Sequence, residues 1–155
     1  MTKSKDEFLS MQHIFDKAAV GMLRQKQQSM NAAGDACVYR APDGCKCAVG
    51  FLIEDEHYDA FFEGPAIGSA GINADQRKKI HLLKKALRNS KVNTLDPKVL
   101  GLLEELQSVH DDFMEHSWSA ELNRVAEQFD LSTKSIDRCI KERNHGKEEA
   151  QYPTR

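Results

Sequence analysis

Apolar residues recur at helical spacing along most of this chain. Phe8, Met11, Ile14, Phe15, Ala18, Met22 and Leu23 make one stripe and predict a helix from Asp6 to about Met30. Ile80, Leu83, Ala86 and Leu87 form the inner face of a second helix. Val99, Leu102, Leu103, Leu106, Val109, His110 and Phe113 mark a third, ending near Met114. Trp118, Leu122, Val125, Ala126 and Phe129 predict a fourth, and Ile136, Cys139 and Ile140 a fifth over Thr133 to Arg143. Start signals agree with these stripes: Asn73 with Gln76 as a capping box, Asp96-Pro97, and Ser117. A short helix is expected after Ile53, where Glu54, Asp55 and Glu56 suit a helix N-terminus and Tyr58, Phe61 and Phe62 follow. Residues 1–5 are expected to fray, and the polar stretch 144–155 to be a disordered tail behind a single globular domain, 1–143.

One stretch, Cys37 to Ile53, departs from the helical period. Ala41-Pro42-Asp43-Gly44 has the residues of a type I turn closed by a left-handed glycine, which predicts a bulged β-hairpin near residues 37–49. In that register Tyr39 faces Cys47 and Cys37 faces Val49. Cys37, Tyr39, Cys45, Cys47 and Val49 then share the face that packs on helices. Ala48 to Ile53 is ambiguous and reads equally as the start of a short helix. The fold class expected is α+β: mostly helical with one small hairpin. Gly64 to Gly71 reads as a flexible connector and lacks a phosphate-loop pattern.

Composition narrows the class. The chain has 155 residues, 40% hydrophobic and 30% charged, as in a soluble single domain. No apolar run approaches membrane-spanning length, and no signal-like apolar region opens the sequence, so no membrane partner and a cytoplasmic location are expected. The four cysteines then read as reduced thiols. A net charge of -2 argues against a domain dominated by phosphate contacts. The charges are nonetheless segregated. Arg77, Lys78, Lys79, Lys84, Lys85, Arg88 and Lys91 make the second helix basic, while 54–63 and 104–115 are acidic. Such a helix is either a solvated face or a docking surface for an acidic partner or nucleic acid, with Arg77, Lys78, Lys84, Lys85 and Arg88 as the partner-binding set, and the segregation also suits a homodimer.

Three chemical readings compete with docking. Cys47 with His110 and Asp111 or Asp112 has the residue types of a nucleophile, base and orienter, as in a cysteine hydrolase or transferase. Adjacent residues on a helix point about 100° apart, which predicts that Asp111 does not orient His110. Cys37, Cys45 and Cys47 with Cys139 or a histidine supply four metal donors, but their spacing is not that of common zinc sites. No metal and no cofactor are expected. Leu122 to Lys141 resembles the DNA-binding helix-turn-helix family, with Ala126 at the helix crossing and Leu131, Ile136 and Ile140 between the helices. The resemblance implies base contacts from Thr133, Lys134, Ser135 and Arg138. Asp130 departs from the family, which favours glycine there, and Asp137 would repel phosphate.

A wider pattern is Cys37-x-Tyr-Arg-x-Pro-Asp-Gly-x-Lys-Cys-Ala-Val-Gly-x-Leu-Ile-x-Asp-Glu-x-Tyr58, followed by Leu106-Gln-x-x-His-Asp111 and Trp118-x-x-x-Leu-x-x-Val-Ala126. It resembles a group of small phage-encoded proteins without assigned activity. The resemblance implies a mobile-element accessory protein in the host cytoplasm and supplies no catalytic residues. The expected function is therefore non-enzymatic binding of a macromolecule, a host protein that is inhibited or redirected. A helix-turn-helix regulator and a thiol enzyme are the alternatives.

Overall fold

Helices begin where a side chain takes over a free backbone donor. The computed structural model describes residues 7–151. Ser10 accepts from the His13 N–H at 3.1 Å and opens α1 (Met11–Gln25). Asn73 accepts from the Gln76 N–H at 2.9 Å, Gln76 returns a bond to the Ile72 N–H, and α2 (Ala74–Asn89) follows. Asp96 and Pro97 open α3 (Pro97–Asp112). α4 (Trp118–Gln128) is led in by a 3-10 turn at Glu115–Ser117, and Ser117 makes no capping bond. α5 (Lys134–Gln151) continues past Arg143. The expected fraying at 1–5 and the last four residues of the expected tail, 152–155, lie outside the described residues. No helix among the described residues is long and apolar enough to cross a membrane.

The core is helix on helix. α1 packs on α3, α4 and α5 through Ile14, Phe15, Ala18, Met22 and Leu23, all buried. Leu102, Leu103 and Leu106 of α3 meet Trp118, Leu122 and Val125 of α4 in the same cluster. α2 joins this core through Leu83, Ala86 and Leu87 and packs against two 3-10 turns, Asp55–His57 and Ala60–Phe62, which replace the short helix expected there. Phe62 is buried between Tyr39 and Tyr58 in edge-to-face contacts of 6.4 and 5.5 Å.

The sequence pattern also misleads at both ends of α1 and at residues 37–49: α1 begins at Met11 behind its Ser10 cap, later than the stripe predicts. α1 stops at Gln25, not near Met30, because Lys26 turns left-handed (φ 64°) and closes the helix on the Met22 carbonyl. The polar run that follows bonds the neighbouring loop. Gln25 holds both backbone groups of Lys46, Gln27 reaches Cys45 Sγ, and Gln28 reaches the His110 carbonyl.

The second correction concerns fold class. No strand or sheet exists among the described residues, so the fold is all-α and the expected hairpin is absent. The Ala41–Gly44 turn does form, with Gly44 at φ 90° and the Ala41 N–H on the Cys45 carbonyl at 2.8 Å. Beyond it only an isolated Arg40–Lys46 bridge and the Cys47 N–H to Tyr39 carbonyl bond remain. Side chains have replaced the ladder. Glu63 accepts the backbone N–H groups of Tyr39 and Arg40 at 2.8 and 3.1 Å, and Gln107 accepts that of Val49 at 3.2 Å. With these donors satisfied the two arms separate. Residues 37–38 pair with 29–30, while the other arm coils into a 3-10 turn at Gly50–Leu52.

Candidate functional site

The last turn of α3 brings Gln107, His110 and Asp111 against the Cys37–Tyr39 arm. His110 is fully buried and stacks on Trp118 with ring centroids 5.5 Å apart. Its Nε2 accepts the Ser29 backbone N–H at 3.0 Å, so the ring proton sits on Nδ1, which donates to Asp111 Oδ1 at 2.7 Å. The expectation that neighbouring helix directions keep Asp111 from this ring is therefore incorrect. Nδ1 lies near the base of its side chain, and the carboxylate folds back along the helix end to meet it. Asp111 also accepts from Gln107 at 2.9 Å, and the Cys37 sulfur lies within 4.8 Å of its carboxylate. Burial works to raise its pKa, but the His110 and Gln107 donors outweigh this and hold it below the usual carboxylate range.

The cysteine beside this pair is Cys37, not Cys47. Cys47 is completely buried, its Sγ accepts the Gly50 N–H at 3.3 Å, and burial pushes its thiol far up. Cys37 is pushed up to about 11, by burial first and then by the negative charge of Asp111. Thiol catalysis needs a base with a lone pair aimed at sulfur. Here one imidazole nitrogen is taken by Ser29 and the other carries its proton toward Asp111. Asp112 is exposed and accepts from Ser108. The cluster ties the loop to α3 and lacks an activated nucleophile. Iodoacetamide is accordingly expected to alkylate native Cys37 more than about a hundredfold more slowly than a free cysteine at pH 8, because so little thiolate is present. Mass-spectrometric time courses on the folded chain check this, and a rate near that of free cysteine would show an activated thiol.

The same atoms bear on metal binding. Donor atoms of Cys37, His110 and Asp111 lie within 4.8 Å of one another. A metal on Nδ1 would leave the proton on Nε2, where it would face the Ser29 N–H. Metal-bound histidines present that second nitrogen to an acceptor, so this donor set does not suit a metal. The four cysteines do not assemble: Cys45 bonds Gln27, and Cys139 lies on α5.

The basic face is more distinctive. Among the described residues, Arg77, Lys78, Lys84, Lys85 and Arg88 form no ion pair, and the one pair on α2 is Lys79 with Asp75 at 3.5 Å. Arg88 bonds Thr94 Oγ1. Lys78 and Lys79 hold their ammonium groups 5.5 Å from the Phe61 ring centroid. Phe61 is 42% exposed, and Ile72, just before the helix, is 86% exposed. The acidic segments behave differently. Asp55 pairs with Arg40 at 2.8 Å, Glu63 takes two backbone donors and the Tyr58 hydroxyl, and Glu105 and Glu121 share Arg124.

At the α4–α5 corner Ala126 and Ile136 are buried, but Ile140, expected between the helices, is exposed. Asp130 adopts φ 55° at the position where glycine is usual, and the Leu131 N–H closes on the Ala126 carbonyl at 2.8 Å. Of the four base-contact candidates, Lys134 and Arg138 are exposed and Thr133 half-buried. Ser135 is turned inward, donating to Asp16 at 2.8 Å, and Gln12 holds Ser132 by both backbone groups.

No family model, curated protein or solved structure matches this chain. The resemblance to phage proteins, and the host-directed inhibitory role it implies, gain no support from them. Sequence reasoning passed over Ser29, Glu63 and Gln107. Gln107 carried a signal: it stands on the buried stripe of α3 beside Leu103, Leu106 and His110, where a polar residue needs a partner. Ser29 and Glu63 carried none, because Ser29 serves through its backbone N–H and Glu63 chiefly receives backbone donors, which residue type does not reveal.

Proposed function

We propose that the chain is a binding protein that docks an acidic partner protein on the outer face of α2. The carrying observation is an asymmetry. The acidic groups at 54–63 and 104–115 largely find partners inside the chain, while among the described residues five cations of α2 meet no carboxylate. Lys84 and Arg88 lie four apart and Lys85 and Arg88 three apart, spacings at which like charges each destabilise a helix by about 0.2–0.5 kcal/mol. An acidic partner turns that repulsion into attraction, and exposed Phe61 and Ile72 add apolar contact beside it. Because its acidic half is used internally, a self-complementary dimer is poorly served by the same charges.

Replacing Lys78 and Lys85 together by glutamate is expected to abolish capture of a stoichiometric acidic protein from nuclease-treated lysate. Wild-type capture should weaken steeply between about 0.05 and 0.5 M NaCl. The melting temperature should change by only a few degrees, since both side chains are exposed and pair with no carboxylate, which separates lost binding from lost folding. Unchanged capture by the double variant would remove α2 from the interaction.

A second reading, DNA binding by residues 122–141, has the left-handed Asp130 corner and exposed Lys134 and Arg138 in its favour. Ser135 facing Asp16, and exposed Asp137 on the same helix, count against it. A salt-sensitive duplex shift weakened by Arg138→Ala would favour it. The thiol-enzyme alternative on Cys47 and His110 finds no bond between those residues to build on.

A further inference from the structure

Between α2 and the two 3-10 turns lies a pocket of about 280 Å³. Tyr58, Phe62 and Leu82 form apolar walls, and His57, Lys85 and Asn89 stand at its polar side. Phe62 is a core residue and Leu82 packs against the core, so the walls are part of the fold and not a loop that closes later. The volume falls below the range of sites for drug-sized ligands, about 300–1,000 Å³, and suits one large side chain. Lys85 belongs both to this pocket and to the unpaired cationic face, so whatever docks along α2 passes the pocket mouth.

We infer that the partner segment is acidic and carries one bulky aromatic or aliphatic residue, which enters the pocket between Leu82 and Tyr58 while its carboxylates lie along Lys78 and Lys85. This deepens the docking reading above and rests on it. Charge complementarity selects the acidic flank. The apolar walls select the anchor, since a buried anchor ringed by charge is the usual form of an interface hot spot. Glu56 and Asp59, which also line the pocket, would repel carboxylates on the turn side. The acidic residues of the partner are therefore placed toward α2 and away from residues 56–59.

The test uses the full chain and three fluorescent probes followed by anisotropy: a short Glu/Ser peptide with one central Phe, the same peptide with Ser in place of Phe, and a DNA duplex. The Phe peptide is expected to bind about tenfold more tightly than the Ser peptide. Lys78→Glu with Lys85→Glu should weaken both peptides. Asn89→Trp, a change at an exposed rim position that covers the pocket, should remove the Phe advantage alone. Equal binding of the two peptides, lost in the double variant, would overturn the anchor and leave the docking reading standing. Binding of neither peptide would overturn both. A duplex preferred over either peptide and sensitive to the double variant would also overturn both, in favour of nucleic acid.

Discussion

Gly50→Ala is expected to destabilise the chain by about 3 kcal/mol or more, at the top of the range for overpacking, or to prevent folding. A Cβ at Gly50 would sit 2.0 Å from the Tyr39 carbonyl oxygen and 3.3 Å from Lys46 Cβ. The obstacle is backbone, so no side-chain rotation relieves it. Nor is that backbone free to retreat. The Tyr39 carbonyl accepts the Cys47 N–H, its own N–H is bound by Glu63, and its hydroxyl donates to the Pro65 carbonyl at 2.7 Å. The 3-10 turn therefore closes on the Cys37–Arg40 arm at a distance only glycine permits. Gly101→Ala is the control. It lies inside α3, where an added methyl would meet Phe129 at 3.7 Å, ordinary contact. Removing glycine from a helix interior should stabilise by about 0.5–1 kcal/mol. Urea denaturation followed by Trp118, the single tryptophan, measures both. Gly50→Ala within about 1 kcal/mol of wild type would mean the close approach does not exist in solution.

His110→Ala is expected to cost about 3–4 kcal/mol, combining a lost buried ring with an orphaned donor. The ring fills space against Trp118, and its loss leaves the Ser29 N–H buried without an acceptor. Asp111 would lose its Nδ1 donor at the same time. Three readouts should move together. The urea midpoint falls, Trp118 emission shifts as water reaches its face, and Cys37 alkylation accelerates as the 28–38 segment loosens from α3. A stability loss below about 1 kcal/mol with unchanged Cys37 reactivity would show that His110 does not hold that segment.

The five main helices, and the starts of α2 and α3, were legible because helical bonds are local. Each N–H meets a carbonyl four residues back, and the caps at Asn73 and Asp96 act within one turn. The turn at Ala41–Gly44 was legible for the same reason. The hairpin failed because a strand needs its partner's backbone groups, and here Glu63 and Gln107 take the donors a ladder would use. The candidate site failed similarly. Cys47 stood nearest a helix start in sequence, but Cys37 is the thiol at His110 and Asp111, since the 37–38 arm pairs with 29–30 and crosses the end of α3.

From the order of residues alone came five amphipathic helices, the caps of α2 and α3, a basic α2 and a tight α4–α5 corner, all properties of neighbours along the chain. Tertiary structure alone decided which donors meet which acceptors across the fold. It made an all-α protein of a sequence with a strong hairpin signal, and it turned His110 into a buried clasp with both ring nitrogens occupied. Among the described residues it also paired several of the acidic groups internally while leaving five cations of α2 without a carboxylate. Those outcomes depend on distances between segments far apart in sequence, and no local spacing contains them.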